Sequence, residues 1–187
     1  MSSQLCFFAS IGFSFVAWAI VTSRYVWPRL RLLPRPVALR PILILHSFRF
    51  IGLAFLVPGV VSAELPSTFA RSAAYGDIIA ATLALLSLAA PESGLGAASM
   101  WIFNLWGSAD LFDAFYQAAR SGLLPGQLGA AYFIPTLLVP LLLITHGIAF
   151  RLLLRRESMP RARPAPKELA PVSPDRAPPR RAIRSLD

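Results

Sequence analysis

Nineteen consecutive residues, Leu5 to Ser23, carry no charged side chain. Wound into an α-helix at 1.5 Å per residue they extend about 28 Å, close to the hydrocarbon thickness of a bilayer. Comparable apolar stretches recur as far as Leu154, and basic blocks divide them. Of 18 Lys and Arg residues, five lie between Arg24 and Arg40 and ten from Arg151 onward, with only Arg49, Arg71 and Arg120 elsewhere. Charged residues make up 14% of the chain, against about 25% in soluble domains, so the charge is both scarce and segregated. Long apolar runs separated by basic blocks are the pattern of a polytopic membrane protein.

The pattern predicts an all-α fold. A bundle of five transmembrane helices is expected over residues 1–158, with spans at about 5–27, 39–61, 73–90, 97–119 and 130–154. A Pro/Arg-rich tail, residues 159–187, holds seven prolines between Pro160 and Pro179. It has too little apolar surface to fold alone and is expected to be a disordered cytoplasmic segment. Met1 to Gln4 lacks the basic start of a signal peptide, so the first span reads as a retained anchor. The third span is the shortest and contains Asp77, yet parity supports it. Only an odd number of spans puts the basic loop after span one and the basic tail on one side, which the positive-inside rule makes the cytoplasm. The amino terminus is then outside. Gly76, Ala80 and Ala84 recur every four residues on span three, a stripe that admits a close neighbour.

A formal charge of +9 raises the possibility of nucleic acid binding. No aromatic-basic interleaving, zinc spacing or helix-turn-helix pattern accompanies it, and membrane sidedness accounts for the same arginines, so no nucleic acid is expected. The expected partner is the bilayer itself, with anionic lipid against the arginine-rich tail. Pro171-Val-Ser-Pro174 has proline-helix ligand spacing, a weak signal in such a tail. One cysteine, Cys6, excludes an internal disulfide and a thiol metal site. No glycine-rich phosphate loop, nucleophile elbow or zinc-protease histidine pair is present, so no catalytic residues and no metal site are expected.

Ionisable groups inside apolar spans are costly and mark the functional candidates. Those in this chain are His46, Arg49, Asp77, Asp110, Asp113 and His146; all but Asp77 make up the expected cluster, with Asn104 on the same face as the two aspartates of span four. Helical rise places His46 and His146 at similar depths, about 9 and 12 Å from the cytoplasmic boundary. Three uses fit them. The polar residues can line a proton or small-solute pathway. The two histidines can ligate a b-type haem, with Arg49 toward a propionate. Or Arg49 and Asp110 can pair and fix helix register, as in a non-catalytic assembly or scaffold protein. Asp77 is expected at the amino-terminal end of its helix, as a cap favoured by the helix dipole. Pro58, Pro135 and Pro140 interrupt helical hydrogen bonding, and Pro140 frees the carbonyl of Thr136.

The stretches His46-Ser-Phe-Arg-Phe-Ile-Gly52, Ala74-Tyr-Gly-Asp77, Ala131-Tyr-Phe-Ile-Pro135 and Thr145-His-Gly147 resemble an uncharacterised family of small bacterial inner-membrane proteins. The likeness covers about Arg24 to Leu154. It implies a multi-pass protein of the bacterial inner membrane and transfers no activity or active residue. The leading expectation is therefore an inner-membrane protein of unknown activity, more a pathway than an enzyme, with a buried His/Arg/Asp cluster.

Overall fold

The computed structural model describes residues 2–90 and 94–155. The tail expected at 159–187, and Pro91 to Ser93 of the turn after the third span, lie outside the described residues. Five helical rods build the fold: α1 (Ser3–Leu30), α2 (Arg35–Leu56), α3 (Ser67–Ala89), α4 (Gly94–Arg120) and α5 (Ile134–Leu153). A short 3-10 segment, Pro125–Tyr132, precedes α5. All but α4 are long and apolar enough to cross a membrane. In α4, Asn104, Asp110, Asp113 and Gln117 dilute the apolar character of a 27-residue helix.

Local sequence explains where the rods differ from expectation. Pro34 precedes Arg35-Pro36 at the start of α2, in keeping with the preference for proline in the first helical turn. The second span was expected to run to residue 61. It stops at Leu56, because Pro58 and Gly59, with φ of 85°, turn the chain away. The third was expected from residue 73. It starts at Ser67, immediately after Pro66, so Asp77 lies three turns inside the helix and caps nothing. The fifth was expected from residue 130 and starts at Ile134. Before it, the amides of Ala130 and Ser62 bond Val60 and Gln127 carbonyls, tying this segment to the loop after α2. Gly129 is needed there: its φ is 52° and a side chain would strike the Val60 carbonyl.

Contacts fix the direction of each rod. Leu43 and Ala84 share a core, as do Phe55 and Phe69, so α2 and α3 are antiparallel. Ser72 meets Asp113 while Gly76 faces Asp110, so α3 and α4 are antiparallel. Trp101 meets Phe150 and Asn104 meets His146, which makes α4 and α5 antiparallel as well. Helix α1 runs parallel to α5, through Phe7 with Tyr132, Trp18 with the Leu137 carbonyl, and Arg151 over Trp27. The rods thus alternate in direction. The first 19 residues of α1 bury nothing, so α1 lies against the outside of a four-rod core.

Basic residues gather at one end. Arg35 donates to the Arg155 carbonyl at 2.6 Å, and Arg155 donates to the Arg31 carbonyl at 2.6 Å. The basic loop and the residues leading into the tail therefore share that end, as the sequence requires. A core of Ala38, Leu39, Ile42, Ile148, Ala149 and Leu152 lies just inside it. The small residues of α3 do what their spacing implies, since Ala80 and Ala84 are completely buried. Ala80→Leu should cost about 1–3 kcal/mol through overpacking. Thr82→Leu, on the exposed face of the same helix, should be nearly neutral. Thermal unfolding of the two variants in detergent measures the difference.

Candidate functional site

Helix α2 is α-helical from Arg35 to Ser47 and then a 3-10 helix from Phe48 to Leu56. With three residues per turn, side chains three apart eclipse. His46, Arg49, Gly52 and Phe55 are spaced that way, and all four are buried. The tightened stretch, longer than the usual 3-10 run, therefore aims one row of residues at the bundle axis. Arg49 is the largest of the nearly inaccessible side chains.

The Arg49 guanidinium is the hub. Its Nε donates to Asp77 Oδ1 of α3 at 2.7 Å. Its Nη2 donates to Asp110 Oδ2 of α4. Its Nη1 donates to the Gly107 carbonyl of α4 at 3.1 Å, with His146 Nε2 of α5 3.4 Å away. One side chain thus joins four helices. An arginine can only donate, so His146 Nε2 presents its lone pair and the ring proton sits on Nδ1. That Nδ1–H donates to Asn104 Oδ1 at 2.8 Å.

Three glycines make the space. A methyl group at Gly52 would collide with the Asp77 carboxylate, and one at Gly76 with the Asp110 carboxylate. At Gly107 it would lie 2.6 Å from His146 Cε1 and 3.0 Å from Arg49 Nη1. Each polar side chain therefore rests on a neighbouring helix where a glycine removes the Cβ.

His46 extends the cluster toward the basic end. Its ring lies 4.2 Å from that of His146, centroid to centroid, and Phe103 packs edge-on to it at 5.1 Å. His46 Nε2 is 2.9 Å from Thr145 Oγ1, and that hydroxyl is itself 2.9 Å from the Leu141 carbonyl. The single hydroxyl proton goes to the carbonyl, so Nε2–H of His46 is the donor. His46 Nδ1 and Asn104 Nδ2 are then buried without a protein hydrogen-bond partner. Beyond them, Leu43, Ala84 and Phe103 close the basic end.

The opposite end is open in two directions. An apolar cavity of about 270 Å³ lies between α1 and the core, with Asp77 and Asp110 in its wall. A polar groove between α3 and α4 is lined by Arg71, Ser72, Tyr75, Asp110 and Asp113. Asp110 borders both.

Five of the six residues singled out from sequence, His46, Arg49, Asn104, Asp110 and His146, meet in one cluster. Asp113 does not. It accepts from Ser72 Oγ at 2.6 Å and from Gln117 Nε2 at 3.3 Å, in the groove one turn away. The expected Arg49–Asp110 pair is present. The residue assigned the wrong role is Asp77, expected as a helix cap; the signal against that was Pro66-Ser67, which starts α3 early and carries position 77 into the bundle. The haem arrangement does not fit. The two imidazoles touch each other, which leaves no layer between them for a macrocycle, and each Nε2 already has a protein partner. Among the described residues no group of three His, Cys, Asp or Glu side chains is placed to hold a metal ion.

The chain belongs to the family described as Domain of unknown function (DUF8737), which matches residues 6–154 and so includes every residue of the cluster. No curated protein and no solved structure matches it.

Removing one partner from a buried ionic group leaves an uncompensated charge, at a cost of about 3–5 kcal/mol. Arg49→Met should lose that much, and adding Asp77→Asn with Asp110→Asn should recover most of it. Chemical denaturation in a mixed micelle of the parent, Arg49→Met, the Asp77→Asn/Asp110→Asn protein and the triple variant measures the cycle. An additive, unrecovered loss would show that the three side chains do not act as one unit.

Proposed function

We propose that this member of the DUF8737 family is an integral membrane protein of five spans whose Arg49-centred cluster conducts protons or a small solute. Several features support the fifth span. Helix α4 alternates in direction with its neighbours, turns Asn104 and Ser108 inward, and exposes Ile102, Leu105, Trp106 and Phe112. Its polar residues serve the core while its outer face suits lipid. By the positive-inside rule the end with Arg31, Arg35 and Arg155 faces the cytoplasm, and the amino terminus and cavity mouth face outward. The motif resemblance adds a bacterial inner membrane. The arginine-rich tail would then lie against anionic lipid.

One observation carries the pathway reading. Asp110 hydrogen-bonds the buried guanidinium and also forms wall in both the apolar cavity and the polar groove. A carboxylate so placed can take a proton from the wet groove and release Arg49, or give the proton back and hold it. The charged and titratable groups around it are Arg49, Asp77, Asp113 and His146, with Arg71 across the groove. From Arg49 the polar chain continues through His146 to Asn104, and His46 stands against the His146 ring. It stops at the apolar plug of Leu43, Ala84 and Phe103, so access is one-sided in this conformation.

The scaffold reading keeps one observation in its favour, that Arg49 alone ties four helices together. It predicts that the variant neutralised at Arg49, Asp77 and Asp110 keeps its cellular function. The pathway reading predicts that it does not. In liposomes containing a pH-sensitive dye, an imposed gradient should drive proton entry, and Asp110→Asn should slow it at least tenfold. Entry that is equal in empty liposomes, or unchanged by Asp110→Asn, rejects the pathway.

A further inference from the structure

We propose that the cavity beside α1 is a binding site for an organic cation: a positively charged amine or quaternary ammonium head carried on an apolar, aromatic-sized body. The body would lie among Phe7, Phe8, Phe55, Phe69 and Phe115, which all line the cavity. The head would sit toward Asp77 and Asp110, the acidic residues of the same wall. Its volume of about 270 Å³ approaches the smaller ligand pockets of proteins, about 300 Å³.

Charge complementarity selects the occupant. The cluster holds two carboxylates and one guanidinium, and the His146 Nε2 beside that guanidinium can only accept from it. With both carboxylates ionised it is one negative charge in excess, in surroundings that screen charge less than water does. An anion placed there is repelled. An acyl chain fills the space and leaves the excess charge uncompensated. A cation compensates it, and aromatic faces add a further attraction that suits quaternary ammonium groups in particular.

The entrance is built for exchange. Phe7, Phe8 and Ile11 form one side of the cavity, and they belong to a helical stretch without a single buried residue. Few contacts hold that wall in place, and regions with few buried contacts open at low cost. The wall also includes Leu128 and Ile134, which belong to the tight core with Phe55 and Phe69. A ligand therefore enters past α1 and stops at the carboxylates. Binding stands on the cavity and the charge balance and does not require proton conduction.

The test uses the full chain in phosphatidylcholine nanodiscs, titrated calorimetrically with phenyltrimethylammonium. Two probes of similar size accompany it: neutral tert-butylbenzene and anionic benzenesulfonate. Saturable one-to-one binding of the cation is expected, with the neutral isostere at least tenfold weaker and the anion unbound. Because these three probes meet the unaltered protein, no folding defect can mimic the result. Asp110→Asn should weaken cation binding at least tenfold, and Phe115→Ala, in the aromatic lining of the cavity, about threefold or more. Equal affinity for the cation and the neutral isostere, or no saturable binding of the cation, overturns the proposal. Proton entry that depends on Asp110 without cation binding would sink this site and spare the pathway. Cation binding without proton entry would do the reverse.

Discussion

An arginine that leaves water must bring its hydrogen-bond partners with it, and Arg49 makes that requirement the organising constraint of the bundle. An isolated ion in an apolar interior costs several kcal/mol even after the protein relaxes. Arg49 offsets this with two carboxylates, a backbone carbonyl and an imidazole nitrogen, drawn from three other helices. None of those partners is within 25 residues of it in sequence. Satisfying the guanidinium therefore requires α3, α4 and α5 to be docked at one register, and a shift by a single helical turn of about 5.4 Å would break every bond.

That demand explains features which otherwise look unconnected. Glycine is a poor residue for a helix interior, yet Gly52, Gly76 and Gly107 each stand where a Cβ would occupy the seat of an acidic, imidazole or guanidinium group. The 3-10 stretch of α2 is less favourable than an α-helix, but it eclipses His46, Arg49, Gly52 and Phe55 on one line. In an α-helix the same spacing drifts around the surface by about 60° per step. Helix α1 contributes nothing to the hub and is accordingly free to pack loosely, which leaves the cavity beside it.

Much of this was legible in the sequence because lipid-like surroundings make patterns explicit. Apolar run length located the rods, with ends displaced by up to about six residues, and arginine segregation gave the shared basic end. Helical rise alone put His46 level with His146 and Arg49 within reach of Asp110, and all four meet. What one-dimensional depth does not encode is distance across the bundle. It therefore allowed a haem between two histidines that in fact touch, and grouped Asp113 with the buried cluster, although Asp113 lies one turn further along α4 and pairs with Ser72 and Gln117. Asp77 was hidden by a boundary. Reading α3 from residue 73 made this carboxylate a cap, whereas Pro66 starts the helix six residues earlier and turns it into a partner of Arg49. The change to 3-10 geometry at Phe48 has no clear sequence signal, since Phe48 to Leu56 is an ordinary apolar run with one glycine and one arginine.

A clamp and a working site make different demands on the same residues, and the details of this cluster separate them. A clamp is most stable when its charges cancel, its hydrogen bonds are complete and apolar side chains seal it on every side. Here the basic end is sealed by Leu43, Ala84 and Phe103, but with both carboxylates ionised the charges do not cancel, and no protein group bonds His46 Nδ1 or Asn104 Nδ2. The other end is left bordering a cavity and a groove through Asp110. The excess negative charge and the Asp110 border both sacrifice stability, and both add capacity to take up a positive charge from one side. Rigidity alone would be served better by the neutral, closed version of the same bundle.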